Sequence, residues 1–305
     1  MKKILVTGCY GFIGLQLTLD LLKNNKVYGI DDFSSSSKNR KIKHKNFSFV
    51  EGDCGKKSIL IKINSKIDFI FHLAGQSSGE KSFYEPLIDF EKNSLTTVRL
   101  LEFAKSKKCQ RFIYASSMSV YGNLNKAKEY SKLNPISFYG ISKMTSENYI
   151  KKYYYKGLNY TICRFFNVYG KNQELNNLQQ GMLRIFLTQL KKTNKLIIKG
   201  SKNRFRDFIN IKDVVNILQQ IPKNSKSINQ TINIGTGKKI IIKDLVNLLK
   251  KYYSKKFKVI YSTGTPDDQF GVVSNTSKFK KIFNYKLKFS KKSDLINVIK
   301  SADIK

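Results

Sequence analysis

Residues 2–14 read KKILVTGCYGFIG, an apolar run of strand type that breaks into glycines at Gly8, Gly11 and Gly14. The next stretch, GLQLTLDLLKNN (14–25), spaces its apolar residues as a helix does. Glycines at this spacing also occur in plain strand–helix turns. The order strand, glycine loop, amphipathic helix is what argues for a phosphate loop. In such a loop Gly8 permits the tight turn, Gly11 lets the backbone approach a pyrophosphate, and Gly14 lets helix and strand pack closely. The first helical N–H groups, near Phe12 and Ile13, then face the phosphates.

Outward from this loop, short apolar runs alternate with helical stretches. The runs are KVYGI (26–30), FSFVE (47–51), IDFIFHLA (67–74), RFIYAS (111–116) and YTICRF (160–165). Between them lie helical patterns, among them 85–107 and 139–156. This alternation predicts right-handed βαβ crossovers and a parallel sheet with helices on both faces. The fold expected is α/β: a Rossmann-type doubly wound parallel sheet with a smaller α/β substrate-binding lobe formed by interleaved C-terminal segments. Residues 1–165 form the dinucleotide-binding domain, 205–235 rejoin it through TINIG (231–235), and 166–305 supply mainly the second lobe. NVYGKNQELNNLQQG (167–181) reads as a loop, and 243–305 as helices around one strand.

Composition narrows the classes. The 305 residues are 41% hydrophobic with four prolines, enough for a core and against disorder. Lys and Arg number 57 against 21 Asp and Glu, and only seven of the 57 are arginine. The lysines are dispersed from Lys2 to Lys305, which fits a solvated surface better than a nucleic-acid reader with clustered Arg and Lys. Cys9, Cys54, Cys109 and Cys163 form no C-x-x-C pair and no metal-ligand spacing with His44 and His72, so free thiols and no metal are expected. No apolar stretch approaches 18 residues, and MKKILVTG runs straight into a strand. A cytoplasmic protein without membrane contact is the expectation.

Two further features carry chemistry. The second strand ends in GIDDFSSSS, where Asp31, with Asp32 beside it, stands about twenty residues past the loop. An acid there hydrogen-bonds ribose hydroxyls and repels a 2′-phosphate, which favours NAD over NADP; an aspartate can equally cap the turn that follows. EGDC (51–54) places Asp53 and Cys54 where an adenine edge would lie. Tyr139 and Lys143 sit one helical turn apart, and an adjacent ammonium lowers a phenol's pKa toward use as a base. Tyr252 and Lys256 repeat the step, so spacing alone proves nothing. Tyr139 differs in following a sheet strand whose carboxyl end carries Ser116 and Ser117, where ligands of such sheets bind.

These segments, with FHLAGQSS, SSMSVYG, FYGISK, RFFNVYG, RFRDFINIKDV, NIGTG and TPDDQF, give the chain a resemblance to the extended short-chain dehydrogenase/reductases. It is most similar to nucleotide-sugar epimerases of the UDP-glucose 4-epimerase type, over nearly its whole length. The resemblance implies that Tyr139 is the catalytic acid/base, that Lys143 tunes it and holds the nicotinamide ribose, and that Ser117 is the active hydroxyl. It implies cofactor contacts from Leu73, Ala74, Gly75, Asn93 and Phe166, and sugar-nucleotide contacts from Asn167 and Arg206. It places His72 beneath the loop rather than in the chemistry. It further implies C4 inversion of a nucleoside-diphosphate sugar through a 4-keto intermediate, with NAD as a catalytic cofactor, in a homodimer paired through 85–107 and 139–156. Leu101, Phe103, Tyr149 and Tyr153 are the apolar positions expected to serve that pairing.

The chain departs from its relatives in places. Dehydratases of this group carry an Asp-Glu pair after the active hydroxyl, where this chain has Met118 and Ser119. Thr265 stands where an arginine is common and Asp267 where a glycine is, and Val272 aligns loosely with a position limiting bulk at the sugar's C2. A 4-reductase or decarboxylase on the same scaffold is the alternative. A non-catalytic RNA-binding relative is the alternative from another class, disfavoured by retention of Ser117, Tyr139 and Lys143.

Overall fold

The structure is a computed structural model that describes residues 1–171, 181–266 and 268–303. Asp267 and most of the 167–181 stretch therefore lie outside the described residues. Apolar runs bounded by turns become seven strands: β1 (Lys3–Thr7), β2 (Lys26–Asp31), β3 (Phe47–Glu51), β4 (Phe69–His72), β5 (Arg111–Ser117), β6 (Tyr160–Phe165) and β7 (Gln230–Ile234). They form one sheet in the order β7-β6-β5-β4-β1-β2-β3, every neighbouring pair parallel. This is the Rossmann-type doubly wound arrangement. The winding reverses at β1 and β4, which pair with Ile4 opposite Phe69 and Thr7 opposite His72. A crevice opens at the carboxyl ends of strands at such a point.

Helices cover both faces, which is why the strands are apolar on both sides. On one face α1 (Phe12–Leu21) packs against the later helix Ile211–Gln220; Leu17, Val214 and Leu218 meet Val6 and Phe71 of the sheet. On the other, α2 (Thr96–Ser106) and α3 (Phe138–Tyr153) bring Leu100 and Ile150 against Leu5, Ile70 and Phe112. Ser137 caps α3 by accepting from the Gly140 N–H. The segment ahead of α2 is not one smooth helix. Pro86–Phe90 is α-helical, Glu91–Leu95 makes a π-helical turn, and α2 follows.

A second core gathers Leu187, Leu196 and Leu245 from the helices Met182–Thr193 and Ile242–Tyr252 and the strand Lys195–Lys199. That strand pairs in parallel with Lys258–Ser262. Where the pattern of 243–305 predicts one strand, two occur among the described residues, because Val272–Ser274 also pairs, with Leu124–Ala127. Three residues are too few to show an alternation. Leu101 and Tyr153, expected at an interface between copies, are buried inside this chain instead, packed in the core beneath α2 and α3. Tyr149 is exposed. Among the described residues no helix is long and apolar enough to cross a membrane.

Candidate active site

The crevice at the winding reversal is a cleft of about 930 Å³, lined from the glycine loop to Tyr139 and Asn167. Gly8 has φ +69, and a Cβ there would stand 2.9 Å from the Ala74 N–H nitrogen of the opposing loop. A Cβ on Gly14 would overlap the Gly8 carbonyl oxygen. Side chains are thus excluded where β1 turns into α1, and the amino end of α1, with Phe12 and Ile13, faces open space. Bare backbone, a helix amino end and a long cleft form a cradle that fits a dinucleotide pyrophosphate. Gly11, Leu73, Ala74 and Gly75 also line it.

At one end the cleft is acidic. Asp31 accepts from the N–H groups of Tyr10 (2.8 Å) and Phe33 (2.9 Å) and from the Ser36 hydroxyl (3.0 Å). It therefore caps the turn and lines the cleft at once, and burial holds its pKa up. Asp32 and Asp53 both lie 3.0 Å from the ammonium of Lys92. Burial would raise the Asp32 pKa, but Ser34 and Lys92 bring it below the usual value. Lys92 also lines the cleft, and nothing in its local sequence marks it out from the many other lysines. Cys54 is buried against this end with its thiol pKa pushed well up by burial.

At the other end stand Ser117, Tyr139 and Lys143. Ser116 and Ser117 point differently. The Ser116 hydroxyl donates to Glu147 (2.6 Å), whereas the Ser117 hydroxyl faces the Tyr139 phenol and lies 3.1 Å from that of Ser119. The Lys143 ammonium donates to the Ala115 carbonyl (3.1 Å) and sits 4.9 Å over the Tyr114 ring and 5.7 Å from that of Tyr139. Burial brings its pKa down to about 8, against the opposing pull of Asp89 and Glu147.

The expected lowering of the Tyr139 pKa is not present in the chain alone. Burial pushes it up to about 12, the Ser117 hydrogen bond only partly offsets this, and Asp89 adds to the rise. The ammonium of Lys143 is spent on Ala115 rather than on the phenol, so desolvation wins.

Not every expected residue reaches the cleft. Phe166 and Asn167 line it. Asn93 is buried behind Gly75 within the π-helical turn. Arg206 is buried beside Asp268 (3.7 Å) and donates to the carbonyls of Phe205 and Phe270, outside the cleft lining. Val272 is fully buried with Val120, Tyr121, Ala127 and Phe166, also away from the lining. His72 is held between the hydroxyls of Thr7 (2.8 Å) and Thr97 (3.1 Å), with burial depressing its pKa to about 3. It is a neutral packing group beneath the loop. Among the described residues no group of His, Cys, Asp and Glu has the form of a metal site.

Comparison with known proteins agrees with this geometry. Residues 4–235 match the profile of the NAD dependent epimerase/dehydratase family. A putative UDP-glucose 4-epimerase of Methanocaldococcus jannaschii is 35% identical over 264 residues, covering 85% of each chain. The solved UDP-glucose 4-epimerase of Thermotoga maritima with UDP-glucose superimposes with a TM-score of 0.89 at 28% identity, over 98% of this chain and 96% of that one. A UDP-N-acetylglucosamine 4-epimerase of Methanobrevibacter ruminantium, in complex with UDP-N-acetylmuramic acid, gives 0.89 at 27% identity, over 99% and 96%. Proteins named as dTDP-D-glucose 4,6-dehydratase and UDP-glucuronic acid decarboxylase also match.

Proposed function

This chain belongs to the NAD-dependent epimerase/dehydratase family, and from that premise we propose that it inverts C4 of a nucleoside-diphosphate sugar. The observation that carries this reading is the makeup of the cleft around Tyr139. Met118 and Ser119 follow Ser117, and among the described lining residues there the side chains are Gln76, serines, Tyr139, Phe166 and Asn167, with Lys81 and Lys143 as the ionisable companions. Dehydration needs a second acid and base on the sugar, and among the described residues lining the cleft around Tyr139 there is no carboxylate to serve. Inversion needs one proton acceptor that also returns the proton, and a phenol suffices.

NAD, when bound, would supply a reversible acceptor for the C4 hydride and a positive charge beside the phenol. Gly8, Gly11 and the amino end of α1 would hold its pyrophosphate, Asp31 its adenosine ribose, and Lys143 its other ribose. Asp32, Asp53 and Lys92 would border its adenine end. Ser117 bonds the C4 oxygen and orients it to Tyr139, which takes the hydroxyl proton and later returns it. Lys143, as an ammonium, keeps the phenolate accessible. Asn167 positions the nucleotide sugar; Arg206 contributes only if binding draws it from Asp268.

The test is a panel of UDP-, dTDP-, GDP- and CDP-sugars offered without added NAD, with C4 configuration followed by NMR. Inversion from both directions is expected for at least one sugar. Consumption of added NADH with net reduction, or loss of water or carbon dioxide, replaces the epimerase with another member of the family.

A further inference from the structure

Asp89 lies on the short helix Pro86–Phe90, fully buried, and nothing in the chemistry above uses it. Its Oδ1 accepts from the side-chain amides of Gln76 (2.9 Å) and Asn93 (2.9 Å). Its Oδ2 has no hydrogen bond of normal geometry, and the carboxyl as a whole feels the Ser142 hydroxyl and the positive charge of Lys143 on α3. Asn93 gives its amide N–H to Asp89, and its own Oδ1 is left buried and unpaired. A Cβ on Gly75 would stand 2.5 Å from that oxygen and 3.5 Å from Lys143 Nζ. Both atoms thus border one small space that only a glycine leaves open.

The donors and acceptors of this cluster are complementary. An ammonium has three N–H donors, and Lys143 uses one on Ala115. Two buried acceptors, Asp89 Oδ2 and Asn93 Oδ1, lack full partners beside it. Unsatisfied buried acceptors are rare and costly, and these two sit where a lysine must carry charge in an apolar setting. We propose that Asp89 is a positioning residue that keeps Lys143 charged, directly through its carboxylate and indirectly by turning the Asn93 carbonyl oxygen toward it. Gln76, on the loop that lines the cleft, ties this carboxylate to the cofactor side. The inference rests on Tyr139 and Lys143 as the acid–base pair and names the anion behind them.

The charged and titratable groups around Lys143 come from four elements. Asp89 faces it from the short helix, Tyr139 and Glu147 from α3, Tyr114 from β5 and neutral His72 from β4. Glu147 is already paired with Arg164 (2.6 Å), which leaves Asp89 as the carboxylate held by amides and a hydroxyl alone; burial raises its pKa, and Ser142, Lys143 and the two amides pull it back down. Asp89 faces Lys143 and Tyr139. Its negative charge favours the protonated form of both, raising the pKa of each. Removing the charge lowers both.

The test is Asp89→Asn, read by trace acetylation of Lys143 with acetic anhydride across pH and quantified by peptide mass spectrometry. This readout needs no substrate, so it can fail while C4 inversion succeeds, and the reverse. A midpoint near pH 8 is expected for the native chain, moving down by about 1 pH unit in the variant. An unmoved midpoint overturns the proposal. Where turnover is measurable, both limbs of the kcat/KM profile move to lower pH; a uniform loss at every pH marks a merely structural residue and overturns it too. If Asp89→Asn does not fold, Asp89→Ser with and without formate decides. A midpoint that falls and is restored by the added anion supports the proposal, and one indifferent to formate overturns it.

Discussion

Tyr139 works as a base only if its proton leaves near neutral pH, and in the protein alone it does not. Its pKa of about 12 reflects burial outweighing a neighbouring hydroxyl. The residue is poised rather than active, and needs positive charge from a bound nicotinamide, with Lys143 released from Ala115, to bring the phenolate into range. We expect Tyr139→Phe to lower turnover by at least about 10²-fold while NAD remains bound, measured as nucleotide released on denaturation; undiminished turnover removes the proposed base. Of the two serines the resemblance implies Ser117, and in the structure the hydroxyl of Ser116 is committed to Glu147 while that of Ser117 faces Tyr139. Lys92 and Asp89 were not readable. Neither has a local signature; each matters only through carboxylates or amides brought to it from other segments.

At the scale of elements, one buried ion pair holds the two halves of the site together. Glu147 follows Lys143 by one turn of α3, receives the Ser116 hydroxyl from β5, and is bound by Arg164 of β6 through both oxygens at 2.8 and 2.6 Å. Arg164 also donates to the Tyr121 hydroxyl (2.8 Å). The strand that carries Ser117 and the helix that carries Tyr139 are thereby fixed to each other. Removing one partner leaves a buried charge unpaired, so Arg164→Met is expected to cost about 3–5 kcal/mol in urea unfolding. Adding Glu147→Gln to it is expected to cost little more, and additive losses would show that the two do not act as a pair. The alternation of strands and helices was legible because short apolar runs and the 3.6-residue period are both written in contiguous sequence. The π-helical turn around Asn93 was not, since inserting one residue into a helix is decided by what packs on it.

For the whole molecule, several of the exposed apolar side chains gather on α3 and the short helix beside it. Phe138, Ile141 and Tyr149 lie along the open face of α3, and Leu87 and Phe90 stand out from the adjoining short helix. We expect the protein to sediment as a dimer at micromolar concentration and Ile141→Lys to sediment as a folded monomer; a monomeric native protein removes the dimer. The surplus of lysine bears on none of this, because dispersed surface charge sets solubility and non-specific attraction rather than fold. What the sequence by itself determined is the Rossmann sheet, the phosphate loop and the Tyr139–Lys143 step, because each depends on residues within a turn or a strand of one another. What only the tertiary structure decided is which groups share a space and which way their protons move. Asp89 meets Lys143, Lys92 meets two carboxylates, Arg206 turns away, and burial reverses the expected shift at Tyr139. Desolvation and charge act through distance in the folded chain, and spacing along the sequence does not specify that distance.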